Sequence, residues 1–251
     1  MAGRQAVGMI DVRPLTRREE LEDAVRLQRE IWGFAEIELL PVRLFVVANK
    51  IGGQVFGAFD GVRMVGFLLA IPGVKPGGRS YLHSHMMGVL PEYRNQGVGR
   101  ILKLRQREEA VAAGVDLVEW TFDPLEIKNA FFNIERLGAI VRRYVLNQYG
   151  TTTSHLHGGL PTDRCVAEWH LSTSRVDRML SGHRPHDTIV ERISVPQAIA
   201  QWRIDDPKRA RQEQERISEQ FLQHFRGGLA VTGFERGDAA GIYLLGPWHS
   251  D

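Results

Sequence analysis

The sequence predicts an α/β (α+β) fold, in which mostly antiparallel strands are flanked by helices and followed by a C-terminal α/β extension. Three observations carry this. Short apolar or alternating runs at 54–60, 64–71 and 80–90 are separated by Asp-Gly and Pro-Gly-rich turns, the pattern of successive antiparallel strands. Apolar residues recur at helical spacing within 21–32, 97–114 and 127–137. A glycine-rich turn at 94–99 joins the third strand-like run to a helix.

In order along the chain, Met9 to Arg13 reads as a short strand. Thr16-Arg17-Arg18-Glu19 has the spacing of a capping box, so a helix is expected there, with Leu21, Ala24, Val25, Gln28, Ile31 and Trp32 on one face. Pro41 to Lys50 suggests a second short helix before Gly52-Gly53. After the three strands, Gly97 to Gly114 reads as a helix carrying Val98, Ile101, Leu102, Leu104 and Val111, with Gly114 suited to a left-handed exit. Asp116 to Phe122 is the next strand. Asp123-Pro124 supplies an N-cap and a first-position proline for a helix with Ile127, Ala130, Phe131, Ile134 and Leu137 on one face, closed by Gly138. Ala139 to Leu146 and Cys165 to Leu171 read as strands on either side of a long loop rich in Thr, His and Gly. Beyond Ser172 the pattern weakens, although Asp206-Pro207 can open a polar helix to about Arg226, with strands at 229–234 and 241–245. The chain thus reads as a main domain, residues 1–172, and an extension, residues 173–251. The extension is too short and polar for a core of its own, so it packs on the domain or on a second subunit, in the latter case as a homodimer.

Composition narrows the function. A chain of 251 residues, 43% apolar and 25% charged, has the make-up of a soluble globular protein, and no stretch approaches the length of a membrane span. A net charge of +2 from 32 basic and 30 acidic residues gives no bulk field for nucleic acid, which favours a small-molecule partner. The single cysteine, Cys165, rules out an intramolecular disulfide and a cysteine-rich metal site, and the N-terminal residues lack the apolar core of a secretory signal, so the cytoplasm is the expected location.

Chemistry concentrates at Arg94-Asn95-Gln96-Gly97-Val98-Gly99-Arg100. Glycines at a strand-to-helix turn let backbone approach a ligand while unpaired amides point outward. The helix dipole adds partial positive charge and Arg94, Arg100 and Lys103 add full charges, so a pyrophosphate is the natural guest. The loop fits neither the Walker nor the dinucleotide fingerprint.

With the preceding Gly88-Val89-Leu90-Pro91-Glu92-Tyr93, this motif resembles that of the GNAT superfamily of N-acetyltransferases. The order of elements from about Ile10 to Leu171 is similar too, including the helix ending Glu135-Arg136-Leu137-Gly138. The resemblance implies a mixed, mostly antiparallel central sheet and acetyl-CoA or another acyl-CoA as co-substrate, with no metal. It implies that amides from Gln96 to Arg100 hold the pyrophosphate, that backbone near Met87 and Val89 pairs with the pantetheine arm, and that Asn129 is a candidate contact to that arm. The implied reaction is direct attack of an amine on the thioester, which requires removing a proton, polarising the carbonyl and protonating the thiolate.

His83 and His85 lie two apart, so the period-2 rule places both imidazoles on one face, shared with Met87 and Val89. Their spacing to Arg94 resembles that of the arylalkylamine N-acetyltransferases, which implies a role in deprotonating the amine. Glu119 on the next strand is a second candidate base. The tyrosine acid frequent in the family is replaced by Ile134, leaving Tyr144 and Tyr149 as substitutes, or solvent as the acid. That replacement also keeps open a non-catalytic acyl-CoA-binding module. Cys165 reads as a small buried hydrophobe, and His155 and His157 as loop histidines without the partners of a metal site. Arg164 offers a bidentate fork for a carboxylate, and the run containing Asp123-Pro124-Leu125, Asn129-Ala130 and Asn133-Ile134 resembles a GNAT subgroup linked to N-acylation or N-succinylation of amino acids. An amino acid is therefore one expected acceptor, with other small amines or a protein lysine as alternatives.

Overall fold

The computed structural model describes residues 9–150 and 159–248, so His155 and His157 lie outside the described residues. The chain forms two compact units, Met1–Asp116 and Leu117–Asp251.

In the first unit the elements are β1 (Asp11–Pro14), α1 (Arg18–Trp32), α2 (Val42–Lys50), β2 (Gln54–Asp60), β3 (Arg63–Val74), β4 (Ser80–Val89) and α3 (Val98–Ala112). The strands lie in the order β1-β2-β3-β4, each pair antiparallel. Helix α1 is capped one residue later than the sequence suggests: the Arg17 amide donates to Glu20 at 3.4 Å, in place of a Thr16–Glu19 box. Glu20 wins because it is buried where Arg13 of β1 meets it at 2.7 Å. Hydrogen bonds from Arg13 and then Arg17, working against burial, hold its pKa at about 2. Gln28, the polar interruption in the α1 stripe, is fully buried and exchanges two hydrogen bonds with the Leu40 backbone, of 3.1 and 2.9 Å. In α3 the buried stripe is Val98, Leu102, Lys103, Gln106 and Ala110. The expected core residues Ile101 and Val111 are instead partly exposed, lining with Val12 and Leu104 a groove of about 670 Å³.

The second unit contains β5 (Leu117–Phe122), α4 (Ile127–Phe131), β6 (Ile140–Val145), β7 (Arg164–His170), α5 (Ser174–Leu180), β8 (Glu191–Pro196), α6 (Ile199–Asp205), α7 (Pro207–Arg226), β9 (Leu229–Arg236) and β10 (Ala240–Pro247). Its strand order is β5-β7-β6-β9-β10-β8, again antiparallel. The mixed α/β architecture with a mostly antiparallel sheet is the one the sequence predicts.

The helix expected from Asp123 begins only at Ile127, because Asp123 accepts the Leu125 amide at 2.9 Å in a local turn and binds Arg203 at 2.7 Å. After Phe131 it widens into a π turn at Phe132–Arg136, and Gly138, with φ 78°, ends it in the left-handed region. Asp206 caps α7 as expected, accepting the Arg209 amide at 3.1 Å. Elements α5, β8 and α6 had no counterpart in the sequence reading.

An aromatic cluster joins the late elements to β6. Phe221 of α7 stacks on Tyr144 at 5.1 Å and meets Tyr243 of β10 edge-on at 5.0 Å, while Phe234 of β9 lies 4.7 Å from Tyr243. No helix among the described residues is long and apolar enough to cross a membrane.

Candidate active site

The glycine turn is held open by its own backbone. A short 3-10 turn at Pro91–Tyr93 leads out of β4. It is tied to the β2–β3 hairpin by Tyr93, whose hydroxyl donates to Asp60 at 2.9 Å, and by Glu92, paired with Arg63 at 2.7 Å. Asn95 and Gly97 then both take positive φ, 61° and 86°, conformations that asparagine and glycine tolerate best. Arg94, Asn95, Gln96 and Gly97 are exposed, and nothing lies within 4 Å of where a Gly97 Cβ would stand. Gly97 caps α3, so the first amides of that helix have no intrahelical acceptor and face this open space. Arg94 donates to the Val89 carbonyl at 3.2 Å and Gln96 to that of Glu92 at 2.6 Å, which fixes the turn from inside. An exposed, glycine-opened helix N-terminus with Arg94 and Arg100 beside it fits a pyrophosphate. Lys103 does not contribute there. Contrary to expectation it points into the core, only 2% exposed, and burial lowers its pKa well below the usual lysine range.

Strand β4 is not regular. Met86 pairs with Leu69 but Ser84 pairs with Ala70, so His85 is an extra residue in a bulge, outside the β3–β4 ladder. The bulge reverses the alternation. Ser84, Met87 and Val89 share the face covered by α3, where Ser84 is bonded to Lys103 and Met87 reaches to 3.5 Å from the Gly99 Cβ position. His83 falls on the other face with Met86 and Gly88, beneath α1, where a Gly88 Cβ would come within 2.7 Å of both Ile31 and Trp32. The expected single face for His83, His85, Met87 and Val89 is thus corrected, because the period-2 rule assumes an unbroken strand. The two imidazoles are nevertheless close, with ring centroids 5.8 Å apart. His85 keeps an exposed edge, yet the protein crowding around it desolvates the ring enough to lower its pKa below the usual 6.5.

Residues 15–138 match the model of the acetyltransferase (GNAT) family. The match assigns a GNAT acetyltransferase domain to those residues, just under half of the chain. No curated protein matches the sequence. Solved structures match in fold. The ribosomal-protein-S18-alanine N-acetyltransferase from Escherichia coli is 19% identical with a TM-score of 0.51, covering 66% of this chain and 96% of its own. The NatC complex bound to Gag peptide and CoA is 16% identical with a TM-score of 0.53, covering 65% and 99%. Arabidopsis thaliana Naa50 in complex with the bisubstrate analogue CoA-Ac-MVNAL is 15% identical with a TM-score of 0.51, covering 63% and 97%. The family match covers residues 15–138, and the likeness to the solved structures is one of fold.

The remaining candidates lie in the second unit, and most are committed to other groups. Glu119 is buried and paired with Arg143 at 2.5 Å, and Arg143 also reaches Glu168 at 3.3 Å. Burial alone would raise the Glu168 carboxyl, but hydrogen bonds from His170 and Arg142 and the charges of Arg142 and Arg143 hold its pKa at about 2. The Tyr144 hydroxyl donates to Asp163 at 3.3 Å and lies 2.9 Å from Ser218, and burial raises its pKa far above the usual phenol. A phenol enclosed in this way is not placed to meet a thiolate. Tyr149, by contrast, is exposed, 2.9 Å from Thr121. Arg164 is not an open fork: it is 8% exposed, donates to the Asp163 carbonyl at 3.1 Å and lies 4.0 Å from Asp123 and over the Tyr149 ring. Asn129 is exposed, with its Oδ1 3.5 Å from Asn133 Nδ2. Cys165 is wholly buried, and burial raises its thiol well above its usual pKa.

The sequence reading missed Ser84, which flanks the bulge and bonds Lys103. A signal was present: Lys103 and Gln106 share the helical stripe of Val98, Leu102 and Ala110.

Proposed function

We propose that the protein transfers an acetyl or succinyl group from coenzyme A to the amine of a small molecule by direct attack on the thioester. The observation carrying this reading is the juxtaposition, within one unit, of an open helix-end cradle at 94–100 and a bulged strand that presents His85. Amides from Gln96 to Arg100 would hold the pyrophosphate, with Met87 and Val89 along the pantetheine arm. Bound acyl-CoA supplies an activated acyl carbon. The bulge takes His85 out of the β3–β4 ladder, which would let its backbone amide polarise the thioester carbonyl. The His85 imidazole, neutral at physiological pH, takes the proton of the amine, with His83 near enough to pass it on through water. Solvent protonates the departing thiolate, since Ile134 replaces the tyrosine and Tyr144 is enclosed.

One consideration supports a small acceptor: the net charge of +2 gives no bulk field for nucleic acid. The buried state of Arg164 withdraws the residue that suggested an amino-acid carboxylate. A cytoplasmic location is proposed from the single buried thiol.

The test is thiol release from acetyl-CoA and succinyl-CoA over a panel of small amines, amino acids and peptides, with coenzyme A binding measured in parallel. Amine-dependent thiol release is expected. Tight binding without it would leave a binding module, and release only with peptides would reject the small acceptor. Gly97→Asp should weaken coenzyme A at least about tenfold by setting a carboxylate and a strained φ into the cradle, and calorimetry reads this directly.

A further inference from the structure

We propose that Lys103 is a positioning residue for acyl transfer: through Ser84 it holds the β4 bulge at a set place relative to the cradle of α3. The proposal rests on the coenzyme A reading of that cradle.

Gln54, Ala70 and Ser84 are register neighbours across β2, β3 and β4. Helix α3 crosses this row. Lys103 Nζ donates to Ser84 Oγ at 3.0 Å and to Gln106 Oε1 at 2.9 Å, and Gln54 Nε2 donates to the Gln106 carbonyl at 3.2 Å. All four polar side chains are buried, and Ala70 between Gln54 and Ser84 leaves them room. Taking an amine-bearing side chain out of water costs several kcal/mol, and an aliphatic side chain of similar length is often cheaper. The cluster is therefore a poor device for stability and a good one for placement.

What it places follows from its two ends. Lys103 lies about one helical turn beyond Gly99, on a helix that moves as a rigid rod, so its Nζ is fixed relative to the cradle amides. Ser84 is the residue just before the bulge. A ladder does not by itself choose where a bulge sits. Moving the extra residue by one position changes which side chains face which way, and His85 would leave its place. The hydrogen bond from Lys103 to Ser84 opposes a shift of the bulge toward the N-terminus, in which Ser84 itself would become the extra residue and His85 would pair with Ala70. Cradle and bulge are thereby held at one separation, as a molecule bound at both must find them.

The experiment compares full-length Lys103→Met, Ser84→Ala and the double variant with the unsubstituted chain. Expected are coenzyme A affinity within about twofold by calorimetry, because the cradle is untouched, and a kcat for the best amine lower by roughly tenfold or more. The double variant should lose no more than the worse single one. Backbone amide exchange at residues 84–87 should quicken in every variant, a readout independent of turnover. Unchanged exchange there, or an unchanged kcat in Lys103→Met, overturns the proposal. So does a kcat loss matched by an equal loss of coenzyme A affinity, which would mark a general structural role. If Lys103→Met fails to fold, Ser84→Ala alone decides by the same readings. Failure of the unsubstituted chain to bind coenzyme A overturns the cradle reading itself, a result distinct from all of these.

Discussion

His85 carries the clearest residue-level consequence. Desolvation lowers its pKa, so the ring stays neutral to a lower pH than a free histidine would, and a base must be neutral to accept a proton. The kcat/KM profile should therefore be flat through neutrality and fall only at pH values below about 6.5, the ordinary histidine value. His85→Ala should lower the rate by roughly 10- to 100-fold and abolish that acid limb; a profile that keeps the limb assigns the proton to another group. The two histidines were legible from spacing alone, but their faces were not. The bulge depends on how Ser84 packs against α3, a contact 19 positions away in sequence that no local period encodes. Lys103 was misplaced for a similar reason. Its charge reads as solvent-facing beside Arg100, and only the company of Gln106 in an otherwise apolar stripe hints that it turns inward.

At the level of elements, β4 is pressed between α3 and α1, and Gly88 is where α1 comes closest. A Cβ there would stand 2.7 Å from Ile31 Cδ1 and from the Trp32 ring, and the ring has little freedom to move, being edge-on to Phe67 at 5.9 Å. Gly88→Ala should destabilise the protein by about 1–3 kcal/mol through overpacking, measurable as a lower urea midpoint with an unchanged slope. An unaffected midpoint would mean that α1 can lift from the strand. The elements bounded by strong turn residues were readable nearly to the residue, as with β2 between Gly53 and Gly61. Helix α5 and strand β8 were not, since seven and six residues with few buried apolar positions give no periodic signal. The late start of α4 was hidden because Asp123 hydrogen-bonds within its own turn and to Arg203, 80 positions on.

At the scale of the molecule, the C-terminal residues are not an appendage to the second unit. Phe221 and Ser218 of α7 pack on and hydrogen-bond near Tyr144 and Asp163, and β9 pairs with β6 at Val141 and Val231. A chain truncated after residue 172 would lose the cover of Tyr144 and leave the Asp163 carboxylate short of a partner. It should be insoluble or lack a cooperative melt, as read by circular dichroism. A soluble, cooperatively melting fragment would show that the first 172 residues hold a core of their own.

The burial of Cys165 has a use at the bench. With one cysteine in the chain and its sulfur sealed in β7, the native enzyme offers a thiol reagent nothing to label, so colour in a coenzyme A release assay comes from the product alone. Unfolding exposes one equivalent per chain, and the same reagent then counts denatured molecules.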